Sequence, residues 1–321
     1  MEETPRRIEI FAPFEAALEV TKRILFQPFE LGKWCAIGFA AFLASFGSGS
    51  STGHVPTNWG NKSWDFRSAT RDVTGGSVEA WPSWMIPLLV GVGLAIVVLV
   101  VVLMWLGARG QFMFADCVVR NRGAIVAPWN EYKREGNSLF LFRLTVAFLS
   151  LLVVGLAAIP LWLPLVSQGR KPEGAGLVVG LILVGGVVLV VGLGLALASY
   201  FMVPIMYRRR CGAVQGFRES AGVLMSEPGP VILFFLFKIV LAVAVALVAC
   251  ALTCMTCCIA AIPYVGTVIM LPLFVFALNY QLLFLRQFGP EYDVWAGLAP
   301  AVPLAPPVQE VPPPTEPPTL P

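Results

Sequence analysis

The stretch that decides the fold is Ile239–Leu285, IVLAVAVALVACALTCMTCCIAAIPYVGTVIMLPLFVFALNYQLLFL, in which no residue is charged. As one straight helix at 1.5 Å per residue it would be about 70 Å long, roughly twice a bilayer core. It therefore folds back once, and Pro263-Tyr264-Val265-Gly266 near its middle is the expected turn. Further uncharged runs occupy Ala80–Ala108, Leu144–Gly169 and Gly174–Tyr207. Apolar residues make up 57 % of the chain and charged residues 13 %, against about a quarter charged in soluble domains. Runs this long and this uniformly apolar match lipid rather than one buried helix stripe. The expected fold is all-α: a polytopic integral membrane bundle of about six transmembrane helices with interfacial amphipathic helices.

The spans are expected at about 29–47, 84–107, 143–166, 176–206, 236–261 and 266–285. The first is the weakest, and Lys33 completes it by snorkelling to the headgroups. Trp34, Trp81, Trp84, Trp105 and Trp162 fall near span ends, where indoles prefer to sit. With this arrangement 17 of the 22 Lys and Arg lie on the side of the two termini and five on the other. That bias puts both termini in the cytoplasm of a plasma (inner) membrane. Three parts follow: a cytoplasmic amphipathic segment 1–28, a membrane domain 29–285 with an outer loop 47–83, and a Pro-rich disordered cytoplasmic tail 286–321.

The first residues do not read as a signal peptide, because Glu9, Glu15, Glu19, Lys22 and Arg23 interrupt the apolar pattern of Ile8–Phe26. Phe11, Phe14, Leu18 and Leu25 share one helical face, and Glu15, Glu19, Lys22 and Arg23 another. A helix in the membrane interface fits that pattern; a helix docked on other parts of the protein is the alternative.

An internal repeat is visible. Phe140-Leu-Phe-Arg143 and Phe235-Leu-Phe-Lys238 open spans three and five, and Ala157-Ala-Ile-Pro160 and Ala260-Ala-Ile-Pro263 close them. Phe112-Met113, Arg120 and Gly123-Ala124-Ile125 match Phe201-Met202, Arg209 and Gly212-Ala213-Val214 without a gap. Three units in one orientation follow, each a cytoplasmic interfacial segment and a helical hairpin, with Phe29-Glu-Leu-Gly-Lys33 standing for the basic element in the first.

Phe26-Gln-Pro-Phe-Glu-Leu-Gly-Lys-Trp-Cys-Ala-Ile-Gly-Phe39 resembles the opening of a family of uncharacterised bacterial membrane proteins. Phe201–Pro204, Gly212-Ala213 and Ser220 are similar to that family's shared cytoplasmic loop, which also occurs in the membrane domain attached to some glycerophosphodiester phosphodiesterases. An acidic residue often present between the Pro and the Gly is absent; Arg208-Arg-Arg210 stands there. The resemblance covers most of residues 8–285 and implies a multi-spanning fold with no established reaction. The catalytic barrel of the phosphodiesterases is missing, so no enzymatic role carries over.

Candidate chemistry is sparse. Cys254, Cys257 and Cys258, with Cys250, cluster on span five; small apolar packing residues are the plain reading, and a disulfide or redox role is the alternative. Cys35, Cys117 and Cys211 lie near the cytoplasmic surface and should stay reduced. His54 is the only histidine and sits in the outer loop, so no metal, cofactor or catalytic residue is assigned. Asn279, Tyr280 and Gln281 form the best intramembrane polar cluster, expected to hydrogen-bond between helices. Arg208, Arg209, Arg210, Lys33, Arg143 and Lys238 are expected at the cytoplasmic boundary, as orientation anchors or as contacts to lipid headgroups. No Asp or Glu falls mid-span, which disfavours ion-coupled transport. The expected function is a non-enzymatic membrane scaffold or accessory component, with membrane lipids and other membrane proteins as partners and no nucleic acid. The alternative is a permease or channel for a small or lipid-like solute.

Overall fold

The computed structural model describes residues 8–46, 84–168, 174–255 and 263–296, with side chains described outside 157–183 and 252–263. The outer loop 47–83, with His54, lies outside the described residues. Every described element is helical: α1 (Phe11–Phe26), α2 (Leu31–Ser45), α3 (Met85–Val119), α4 (Val126–Glu131), α5 (Lys133–Gln168), α6 (Gly174–Tyr200), α7 (Met202–Arg209), α8 (Ala213–Ser226), α9 (Pro228–Met255), α10 (Pro263–Ile269), α11 (Leu271–Arg286) and a 3-10 turn at Pro290–Tyr292.

Four stretches are long and apolar enough to cross a membrane: Met85–Val119, Lys133–Leu156, Val184–Arg209 and Pro228–Ala251. The expected first span is the shorter apolar helix α2, of 15 residues, and the expected sixth is α10 followed by α11, of 7 and 16 residues, with Met270 between them. Taken alone, α2 and α11 are about 22–24 Å long, short of a ~30 Å hydrocarbon core. Both lie inside the bundle. Gly110 on α3 admits α2 so closely that a Cβ there would stand 2.6 Å from the backbone carbon of Leu43. A Cβ on Gly38 would likewise meet Val268 of α10 at 2.8 Å.

The long helices have two unlike parts. Their feet interlock: Phe112, Tyr132, Met202, Met206 and Tyr207 form one buried group, and Phe201, Phe234, Tyr280 and Phe284 another. Phe234 and Phe284 stack with ring centroids 4.1 Å apart. The shafts beyond, including Leu88–Leu99, Phe148–Leu156, Val187–Leu193 and Ile239–Leu247, expose their large apolar side chains. That division is the one expected where a hydrocarbon solvent replaces protein packing.

Prolines set the breaks, and the carbonyls they orphan are used. A proline at position i cannot donate to the carbonyl at i−4. Pro204 leaves Tyr200 O free at the break between α6 and α7, and Gln281 Nε2 donates to it at 2.7 Å. Pro272, in the first turn of α11, leaves Val268 O to the Trp34 indole at 3.1 Å. Carbonyls at helix ends are used in the same way: Glu9 O, ahead of α1, accepts from Gln287 Nε2 at 2.8 Å, and Ile24 O, in the last turn of α1, accepts from Lys33 Nζ at 2.9 Å. Ala124 O, ahead of α4, accepts from the Cys117 thiol at 3.2 Å. Each donor comes from a different element, so open carbonyls at proline breaks and helix ends become tertiary ties.

Three expectations change. Pro263–Gly266 is not the turn of the Ile239–Leu285 run but the first turn of α10. A missing N–H is harmless at that position, and residues 256–262, upstream of it, lie outside the described residues. The segment after Leu285 is not all tail: Arg286 Nε reaches Asp293 Oδ2 at 3.0 Å, and Val294 is buried beside Phe112 and Tyr207. The fold therefore continues to at least Ala296. Helix α1 docks on α11 through Ala17, Thr21, Ile24 and Leu25, while Phe11 (72 % exposed) and Leu18 face outward. The expected single apolar face is thus divided between protein and surroundings.

Candidate functional site

The densest polar constellation was not anticipated. On α3, Phe112, Asp116 and Arg120 follow one another at i, i+4 spacing, so all three face the same neighbours. The Asp116 carboxylate is fully buried. Arg122 donates to its Oδ2 from Nε at 2.9 Å and Nη2 at 2.6 Å, and Arg120 Nε lies 3.1 Å from Oδ1. The hydroxyls of Tyr207 and Tyr132 donate to Oδ1 at 3.1 and 3.4 Å. The Phe112, Tyr132 and Tyr207 rings stack with centroid separations of 5.9 and 5.0 Å, and the Arg210 guanidinium covers Tyr132 at 3.8 Å.

Glu131 continues the network to Arg120 at 2.9 Å and to Arg210, which also approaches Glu135 at 3.9 Å. Burial alone would push the Glu131 carboxyl up, but Arg210 and Arg120 outweigh it and hold it below the ordinary carboxylate range. Burial opposes the charge of Arg120, and Asp116 outweighs that in turn, holding the guanidinium above its usual value. Three carboxylates (Asp116, Glu131, Glu135) thus face three guanidiniums (Arg120, Arg122, Arg210). The network joins the foot of α3, the start of α5 and the end of α7. Its charges are balanced, which suits a lock between hairpins better than an anion receptor.

The residues singled out in the sequence are dispersed around this lock. Arg210 belongs to it, and Arg209 pairs with Glu219 at 2.9 Å. Arg208 has no ion pair among the described residues. Lys33 reaches Ile24 O and Asn121 Oδ1, tying α1, α2 and the end of α3 together. Arg143 Nη2 donates to Gln111 Oε1 at 2.8 Å, and Lys238 Nζ lies 3.4 Å from the centre of the Tyr200 ring. Asn279, Tyr280 and Gln281 do not share one pocket: Asn279 donates to Thr21 Oγ1 at 3.1 Å, Tyr280 to Ile10 O at 3.4 Å and Gln281 to Tyr200 O. The side chains of Cys254, Cys257 and Cys258 lie outside those described. Cys35, Cys117, Cys211 and Cys250 are free thiols, and among the described residues no group of three His, Cys, Asp or Glu is placed to hold a metal.

The internal repeat has structural counterparts. Asn121 and Arg210 both adopt the left-handed conformation, with φ of 52° and 53°, at the ends of α3 and α7. They are separated by the same interval that relates Phe112 to Phe201. So are Gln111 and Tyr200, the two groups that receive Arg143 and Lys238. A shallow cleft of about 590 Å³ opens beside α1 and α11, lined by Glu9, Pro13, Arg286, Gln287 and Asp293. Glu9 N donates to Gln287 Oε1 at 2.8 Å, so the first and last described segments meet at one end of the bundle.

A packed foot with bare apolar shafts is the build of a polytopic α-helical membrane protein. The chain belongs to a family described as a family of unknown function (DUF7544), which it matches over residues 9–285. No curated protein and no solved structure matches it.

Proposed function

We propose that the protein is a non-enzymatic scaffold or accessory component of a bacterial plasma membrane, with both termini cytoplasmic. The observation that carries this reading is the Asp116 lock, in which the cytoplasmic-side charges are spent on one another rather than aimed into a cavity. The exposed apolar residues of the interfacial helices support it: Phe11 and Leu18 on α1, Val126 on α4, and Val214 and Met225 on α8. Such residues, next to exposed Lys22, Lys133 and Arg218, suit a layer resting on anionic headgroups. Partners are then membrane lipids and other membrane proteins. The sequence likeness to the membrane domain attached to some glycerophosphodiester phosphodiesterases belongs to the same reading, since that domain accompanies an enzyme rather than being one.

The meeting of Glu9 with Gln287 supports an even number of crossings, and the basic bias supports the cytoplasmic side. Reporter fusions at Gly53 and after Leu298 should report opposite sides of the membrane; the same side for both sinks the topology. Purification in mild detergent followed by mass spectrometry tests the function. Co-purifying partner proteins are expected, and a stoichiometric small solute would overturn the scaffold reading in favour of a permease.

A further inference from the structure

Arg143 stands at the foot of the uncharged run Leu144–Gly169. Among the described residues its one hydrogen bond goes to a neutral amide, Gln111, and its buried Nη1 has no partner. Among the described residues no carboxylate pairs with it. A guanidinium left in this state is costly, because removing a charge from water requires a counter-charge or a full set of hydrogen bonds. Immediately beyond it, Phe148 (67 % exposed), Leu149, Leu151 and Leu152 present a bare apolar shaft.

The second copy of the repeat builds the same arrangement. Lys238 stands at the foot of Ile239–Leu285, has no acidic partner among the described residues, and lies over Tyr200, the residue equivalent to Gln111. Ile239, Val240, Val243 and Leu247 (67 % exposed) continue above it. A cation lacking a counter-ion, seated at the base of an exposed apolar shaft, matches a molecule with a phosphate at one end and acyl chains at the other. Two such positions related by the repeat are unlike isolated anchors at span ends.

We infer that Arg143 and Lys238 are the headgroup seats of two equivalent sites for an anionic phospholipid. The phosphate takes the Arg143 guanidinium, whose Nη1 has no partner among the described residues, or the Lys238 ammonium, and the acyl chains lie along α5 or α9. The inference rests on the membrane reading but not on the scaffold role, since a permease could carry the same sites.

The test is native mass spectrometry of the full chain, delipidated and titrated with phosphatidylglycerol, phosphatidylcholine or inorganic phosphate. The parent should retain phosphatidylglycerol over phosphatidylcholine, Arg143→Gln and Lys238→Gln should each lose one bound lipid, and the double variant both. Size-exclusion elution and helical circular dichroism establish that the variants fold. Arg134→Gln removes an exposed charge to which neither site nor the headgroup layer is assigned, and it should leave lipid retention unchanged. The inference is overturned if the double variant retains lipid as the parent does, or if Arg134→Gln also loses a bound lipid. It is also overturned if inorganic phosphate displaces the lipid at equal concentration, since the acyl chains would then add nothing.

Discussion

The tie between Gln281 and the carbonyl of Tyr200 can be tested against the proline that makes it necessary. Gln281→Met keeps the side-chain volume and removes the donor. Tyr200 O, already denied a backbone donor by Pro204, would then be unsatisfied inside the bundle. Such a buried orphan costs about 1–3 kcal/mol. For a domain of this size that corresponds to a fall in Tm of roughly 2–10 °C. In a Pro204→Ala background the new N–H can bond Tyr200 O along the helix, because Phe201 at the break is already near helical (φ −85°, ψ −3°). Gln281→Met should then cost less than about half as much, a coupling that a double-mutant cycle isolates. The assay is thermal unfolding of the four proteins in one detergent, followed by intrinsic fluorescence. Equal losses in the two backgrounds, or no loss in the parent, would refute the account of the proline breaks.

Asp116→Asn keeps an acceptor for Tyr132 and Tyr207 but strips the charge facing Arg120 and Arg122. It should destabilise by about 2–4 kcal/mol, somewhat under the full effect of breaking a buried pair, because both arginines are about one-third exposed; differential scanning calorimetry reads it. Glu131 is held below its ordinary range, so its stabilisation is present above the unfolded value of about 4.3 and is lost as pH falls through the lower folded value. Parent Tm should drop on acidification below about pH 4, and Glu131→Gln should flatten that drop. Arg210→Lys loses the planar contact over Tyr132 and the fork toward Glu131 and should lower Tm, whereas Arg208→Lys should not; a common melting temperature for the two would count against the lock.

Much of the architecture was legible because hydrocarbon imposes its own pattern. Uncharged runs located the long helices, and the Phe-Leu-Phe-basic borders located Arg143 and Lys238 at equivalent positions. The lock was missed for a definable reason. Orientation is read from Lys and Arg alone, which passes over Asp116, Glu131 and Glu135 lying among the arginines between Arg109 and Arg143. The Asp116–Arg120 spacing of four was the available signal, and it also implied that α3 runs on past the apolar stretch to Val119. The fold after Leu285 was hidden by proline content, although Tyr292, Val294 and Trp295 offered apolar groups before the Pro-rich stretch begins. The reversal near Pro263 was misplaced because proline marks a helix start as readily as a turn. The proline-carbonyl ties follow from long-range packing, and no local pattern announces which side chain will arrive.

The bond between Glu9 and Gln287 also sets a clock. Its partners are 278 residues apart in the chain, and a ribosome adding about 5–20 residues per second needs roughly 14–56 s to get from one to the other. Throughout that interval α1 exists without the helix it docks against, so Ala17, Ile24 and Leu25 have no shelter within the nascent protein. A helix whose opposite side carries Phe11 and Leu18 has somewhere to wait, at the surface of the bilayer, until the last hairpin is inserted and draws it in. Assembly therefore finishes where it began, and a chain stalled before Leu271 would leave its first helix stranded on lipid.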